Sequence, residues 1–342
     1  MTQPYRTAGQ KQPHHRCQVL QRLAAVLMAG LITGHAGGAC AQTYPARPVH
    51  ILSVYPSGAG PDLVARMFAD KLSRLWNQPV TVEAKPGANG FIALENTRRA
   101  APDGHTLLVV GDSHMTLNPS LFRNVPYDPE ADFTPIAMQF RTPFFVAVSA
   151  TGPYRTVADL LGALKARPGR ISVGMPYIGS PAHLGAVSLE QALGTTMIHV
   201  PFKENAALFA SLSNGDIDWL IGTIASAGAF YKSGRLRFLA VIARSRLASH
   251  PDIPTLAEEG GPASVAVGAW VAFVGPRDIA PEVVNTINRS VGQVLADDDF
   301  RQRMAGFGFL PTASTPQELA DTIRTDLARN AETIRRAGIK AD

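Results

Sequence analysis

The sequence predicts an α/β protein of two lobes around a central cleft, and three observations carry that reading. β-rich segments run through glycine loops into helical segments at the start of the chain. The same alternation restarts at Phe144 after a proline-rich polar stretch, and one late apolar segment, Val265 to Val274, precedes a set of closing helices. Strands that alternate with helices form open sheets whose ligand-facing loops follow the strand ends, and a cleft between two such sheets is the default ligand site. With 342 residues, 46% of them hydrophobic, the chain can fill two cores.

Taken in order, Pro48 to Val54 reads as a strand and the turn at residues 55 to 61 leads into a helix. Leu63, Val64, Met67, Phe68, Leu72 and Leu75 recur at helical spacing, which predicts one buried face, with Arg66, Asp70 and Arg74 left in water. Pro61 suits a first helical position, where its missing N–H costs nothing. Pro79 to Glu83 is a second strand, followed by the loop Lys85-Pro86-Gly87-Ala88-Asn89-Gly90 and a helix from about Ile92. Pro102-Asp103-Gly104 turns the chain into the strand Thr106 to Val110, and Gly111 to His114 makes a third loop at the same edge. Residues 118 to 135 predict an irregular connector.

In the second half, Thr156 with Asp159 forms a capping box, and Ser180-Pro181 caps a helix through Leu193. Strands are expected at Ile171 to Gly174, Met197 to Val200, Ile217 to Ile221 and Leu236 to Ile242, with helices between them. After Val265 to Val274 come helices near Pro281 to Leu295, Asp299 to Phe307 and Pro316 to Arg336.

The N-terminus predicts export. Arg6, Lys11, Arg16 and Arg22 stand among residues 1–41 with no acid beside them, Leu23 to Ile32 is apolar, and Ala39-Cys40-Ala41 is a small-x-small site, so a signal peptide over 1–41 is expected to be cut before Gln42. Removing those cations brings the formal charge of +5 close to neutral, so the basic balance gives no reason to expect nucleic acid. Cys17 and Cys40 leave with the signal, which excludes disulfides and thiol chemistry from the mature chain.

The candidate site begins at the first loop, Ser57, Gly58, Ala59, Gly60 and Pro61. Glycines there permit φ > 0 and leave backbone N–H groups uncovered at a helix start, so an anion could sit against them; an ordinary βα turn is the alternative. A dinucleotide fingerprint fails because Leu63 stands where a small residue is required. The second loop, with Gly87, Ala88, Asn89 and Gly90, repeats the arrangement. Ser113 and His114 lie at the same edge, where His114 has a ligand-bonding and a structural reading. Ser180 and His183 read more readily as a helix cap and a first-turn polar group than as nucleophile and base. Asp62 is expected to brace the first loop rather than face a ligand, and Asp297-Asp298-Asp299 reads as a cap and solvated turn rather than a metal site. No cofactor and no metal is expected.

Tyr55-Pro56-Ser57-Gly58-Ala59-Gly60-Pro61-Asp62, Glu83-Ala84-Lys85-Pro86-Gly87-Ala88-Asn89-Gly90, Ala101-Pro102-Asp103-Gly104-His105, Gly179-Ser180-Pro181-Ala182-His183-Leu184, His199-Val200-Pro201-Phe202-Lys203, Pro251-Asp252-Ile253-Pro254-Thr255 and the closing Ala337-Gly338-Ile339-Lys340 together resemble, in order, the tripartite tricarboxylate transporter receptors, also called Bug-type solute-binding proteins. The resemblance spans essentially the whole mature chain. It implies a periplasmic-binding-protein-like fold of type II, with residues 42–146 plus 268–342 as one α/β domain and 147–267 as the other. It further implies a monomer that is not an enzyme, a small carboxylate ligand (a di- or tricarboxylate or related organic acid), membrane permease subunits as partners or a sensing role, and a site formed by Ser57 to Pro61 and Gly87 to Gly90 with Gly179, Ser180 and His183 from the second domain. Thr223 marks a departure. Relatives commonly carry Phe-Asp-Asn where this chain has Ile221-Gly222-Thr223, so the acid that would pair a ligand amine is missing and an amino-acid ligand is not favoured. A secreted enzyme of similar fold is the alternative function; a regulator's sensing domain is disfavoured by the signal peptide and the lack of a helix-turn-helix segment.

Overall fold

The computed structural model describes Met1, residues 44–265 and residues 267–339; apart from Met1, the expected signal peptide over 1–41 lies outside them. The chain from Tyr44 onward is one compact unit. It opens with β1 (Val49–Ser53), α1 (Gly60–Trp76), β2 (Val80–Ala84), α2 (Phe91–Arg98), β3 (Thr106–Gly111), α3 (Asn118–Leu121) and β4 (Phe133–Thr142). There follow β5 (Phe144–Ser149), α4 (Val157–Ala166), β6 (Ser172–Met175), α5 (Pro181–Leu193), β7 (Ile198–Pro201), α6 (Asn205–Asn214), β8 (Trp219–Gly222), α7 (Ile224–Lys232) and β9 (Leu236–Ile242). β10 (Ala269–Pro276), α8 (Pro281–Ala296), α9 (Asp298–Gly306), β11 (Leu310–Pro311) and α10 (Pro316–Ala337) close the chain.

Two sheets result, as the two-lobed α/β expectation required. The first has the order β11-β4-β10-β3-β1-β2 and the second β7-β6-β8-β5-β9. In each, three strands run parallel and the strand by which the chain arrives from the other sheet is inserted antiparallel: β10 between β3 and β4, β5 between β8 and β9. The departing strand therefore lies beside the arriving strand in both sheets. The two crossovers, β4 to β5 and β9 to β10, run as neighbours.

Helix α1 shows why the first lobe packs. Val64, Ala65, Met67, Phe68 and Leu72 are buried against Ile51, Leu107 and Phe273, and the Phe68 ring meets Phe273 and Phe300 edge-on at 5.3 and 4.6 Å. Phe68 is 0% exposed, a burial that stabilises by about 1.5–3 kcal/mol. The helix stops at Asn77, which takes a left-handed φ of 51°. Leu63 and Leu75, expected on this face, are instead 37% and 48% exposed, because the buried stripe is narrower than the spacing alone implied.

Other differences have local causes. β4 falls partly in the expected connector: Pro135 sits at a register shift against Val274, where a missing N–H is tolerated, and buried Gln139 interrupts the apolar run. The late strand starts at Ala269 rather than Val265. Asp297, read as a cap, does accept the Phe300 N–H at 2.9 Å and also pairs with Lys71 at 2.8 Å.

The lobes touch at their strand-end loops. Leu117 and Leu121 pack with Leu184 of α5 and Ile334 of α10 in one apolar cluster. On another flank, a Cβ added to Gly308 would lie 3.2 Å from the Ala225 nitrogen at the start of α7.

Candidate functional site

The first loop is held from below. The Gly58 N–H donates to Oδ2 of Asp62 at 2.9 Å, and Arg66 meets the same carboxylate through Nε at 2.9 Å and Nη2 at 3.2 Å. Asp62 is 0% exposed, so its charge is consumed inside the loop, in the bracing role expected of it. The Ala59 N–H donates to the Pro56 carbonyl at 3.1 Å. Among the described residues, the N–H groups of Ser57 and Gly60 have no partner. Gly58 takes φ +83°, as a glycine turn requires, but Gly60 does not take a positive φ. That expectation was wrong: Gly60 is glycine because a Cβ there would stand 2.8 Å from the Phe309 ring.

The second loop is more strained. Gly87, Ala88, Asn89 and Gly90 take successive φ values of +123°, +44°, +52° and +85°, although two of them carry side chains. Consecutive N–H groups in such a curl converge and form an anion-binding concavity. Only the Gly90 N–H is used, donating to Gly87 at 2.9 Å, while those of Gly87, Ala88 and Asn89 are without a partner among the described residues. The Asn118 Nδ2 donates to the Asn89 carbonyl at 3.0 Å and fixes the curl from α3. Left-handed non-glycine residues each cost on the order of 1 kcal/mol or more and persist where the surroundings hold them.

Ser113 and His114 belong to one π-helical turn, Ser113–Leu117, rather than to an open loop. The His114 ring lies beneath the second loop, where it leaves no room for a side chain at Gly90, and meets Tyr55 edge-on at 5.7 Å. Burial lowers its pKa to about 4, so the imidazole is neutral. Its Nδ1 is enclosed without a hydrogen-bond partner among the described residues.

In the second lobe, Gly179 takes φ +84° and donates its N–H to His183 Nδ1 at 2.9 Å. The Ser180 oxygen accepts the His183 backbone N–H at 3.1 Å, a helix cap of the expected kind. These bonds make Nδ1 an acceptor, place the neutral proton on Nε2 and leave no Ser–His pair arranged for nucleophilic attack. The His183 ring meets His199 edge-on at 5.0 Å, beside a cavity of about 480 Å³ that Glu190 and Arg336 also line. Thr223 caps α7, accepting the Ser226 N–H at 3.2 Å. The Gly179 loop lies against Leu121 and the α7 start against Gly308, so both second-lobe loops meet the first lobe, on different flanks.

Several groups were not read from the sequence. Asp112 follows β3, is 6% exposed, and burial pushes its carboxyl up to about 8, with Asp326 pushing the same way. The Tyr55 hydroxyl fills the space a side chain at Gly111 would need. Tyr55 and Tyr177, from opposite lobes, both lie within electrostatic reach of Asp112. Arg141, half-buried near the end of β4, completes the group. Only the alternation of β4, with an arginine one residue from its end, could have pointed there.

Comparison with known proteins then bears on the whole chain. Residues 64–339 match the family described as tripartite tricarboxylate transporter family receptor. Protein BugT of Bordetella pertussis is 30% identical over 323 residues, which cover 94% of this chain and 99% of BugT. Among solved structures, R. palustris Rpa4515 with adipate superposes with a TM-score of 0.71 at 27% identity, covering 87% of this chain and 99% of that one. MatC (Rpa3494) from Rhodopseudomonas palustris with bound malate gives 0.67 at 26% identity, covering 85% and 100%.

Proposed function

The chain belongs to the tripartite tricarboxylate transporter receptor family, and from that premise we propose that it is a periplasmic solute-binding protein that captures a small organic acid between its lobes. The observation that carries this is the set of backbone N–H groups on Ser57, Gly60, Gly87, Ala88 and Asn89, which have no partner among the described residues and lie at two neighbouring strand ends of one sheet. A carboxylate seated there accepts charge-assisted bonds from a frame that needs no reorganisation. The similar structures that hold adipate and malate support a carboxylate ligand. Delivery to membrane permease subunits, or sensing, follows from the family rather than from any residue of this chain. The export signal over 1–41 and the division into domains at residues 146 and 267 are part of the same reading.

For the secreted-enzyme alternative, the nucleophile-and-base reading of Ser180 and His183 finds no support, because the Ser180 oxygen is taken by the helix cap and His183 Nδ1 by the Gly179 N–H. Two measurements test the binding reading. Mass spectrometry of ligand retained by purified protein should find an organic acid, and small-angle scattering should show a smaller radius of gyration when that acid is added back. An acid-free protein that binds no member of a broad carboxylate panel would end it.

A further inference from the structure

The two crossovers carry one arginine each at corresponding places. Arg141 is the second-last residue of β4, and Arg244 lies just beyond the end of β9. Because departing and arriving strands are neighbours in both sheets, these positions share the base of the two lobes, with Arg244 within electrostatic reach of Arg141. Arg141 pairs in register with Trp270, so its side chain leaves β4 on the Trp270 face, toward α10.

The charges at that spot do not balance. Asp326 is fully engaged, taking Arg329 Nη2 on Oδ1 at 2.8 Å and Trp270 Nε1 on Oδ2 at 2.9 Å. Asp112, the other acid within reach of Arg141, is buried and keeps its proton at neutral pH. Neither Arg141 nor Arg244 makes an ion pair or side-chain hydrogen bond among the described residues, and Arg141 is half-buried. A half-buried guanidinium within reach of a second one, and with no carboxylate paired to it among the described residues, is unfavourable until an anion joins them.

We propose that Arg141 and Arg244 form a second anion subsite at the base of the lobes, which receives the far carboxylate of a dicarboxylate whose near carboxylate sits on the Ser57–Gly60 and Gly87–Asn89 N–H groups. This rests on the carboxylate-binding reading above and adds the residues that select a two-ended acid. The planar fork of arginine matches a carboxylate with paired hydrogen bonds, and its charge does not depend on pH in the working range.

Titration calorimetry tests it with succinate, glutarate and adipate against butyrate, pentanoate and hexanoate, on wild type, Arg141→Gln and Arg244→Gln, each checked by circular dichroism. Wild type should prefer its best dicarboxylate over the monocarboxylate of equal length by about tenfold or more. Each variant should bind that dicarboxylate roughly ten- to a hundredfold more weakly while its monocarboxylate affinity stays unchanged. Arg244 is exposed, so its variant remains informative if Arg141→Gln does not fold. Unchanged dicarboxylate affinity in the folded variants overturns the subsite alone, as does equal loss of both acid series. A wild-type chain that binds neither series overturns the carboxylate reading together with it.

Discussion

The backbone N–H of Gly58 and the guanidinium of Arg66 converge on the same Asp62 oxygen, each at 2.9 Å. A carboxylate beside an anion site would ordinarily repel the ligand. Here it is 0% exposed, paired, and turned to hold the loop that presents the free N–H groups of Ser57 and Gly60. The helix start benefits from the negative charge in its first turn, while the ligand meets backbone dipoles.

Asp62→Ala should therefore act on stability and binding together. Removing the acceptor strands the Gly58 N–H and the Arg66 charge, at a cost of about 1–3 kcal/mol. Thermal unfolding should show a lowered Tm, and calorimetry on the folded variant a weaker carboxylate affinity. A variant that matches wild type in both would mean the loop holds its shape without this bond.

The glycines of the cradle should matter more than its nearest cation. Gly87→Val forces a branched side chain into φ +123°, and Gly60→Val drives a methyl into the Phe309 ring. Lys85, by contrast, is paired with Glu83 at 3.1 Å. Losing one charge-assisted N–H bond weakens binding roughly ten- to a hundredfold, so both valine variants should bind worse than Lys85→Ala. Calorimetry showing the opposite order would remove the backbone from the site.

How much of this was legible beforehand depends on how local its cause is. The βα units around Pro61 and Gly87, the caps at Thr156 and Ser180, and the role of Asp62 rest on neighbours a few residues away, and the structure shows each of them. The reason for Gly60 was not legible, because Phe309 arrives from the far end of the chain. β4 was obscured by Pro135 and Gln139, whose places depend on pairing with β10. Arg141 and Asp112 form one electrostatic group only after the two crossovers are laid side by side, which no spacing in the sequence encodes.

Asp112 gives the sharpest dependence on pH. In the unfolded chain its carboxyl ionises near its ordinary value of 3.8, whereas burial in the folded chain raises it to about 8. Between those values the folded protein holds a proton that the unfolded chain has released, so this group makes stability fall as pH rises through that window; below it both states are protonated, above it both are ionised. Asp112→Asn, which has no proton to lose, should gain stability relative to wild type from about pH 4 to about pH 8, and the difference should then level off. Binding should respond at the upper end. Arginine side chains do not titrate in this range, and the Tyr55 and Tyr177 phenols are held above their usual range, mainly by burial, so Asp112 is the group whose change binding should report. Once ionised it would both repel an incoming dicarboxylate and pair with Arg141. Wild-type affinity should drop as pH passes about 8, while Asp112→Asn keeps its affinity through the same range. Denaturant unfolding and calorimetry across the pH series check both; parallel profiles for the two proteins would show that Asp112 does not carry its proton into the folded state.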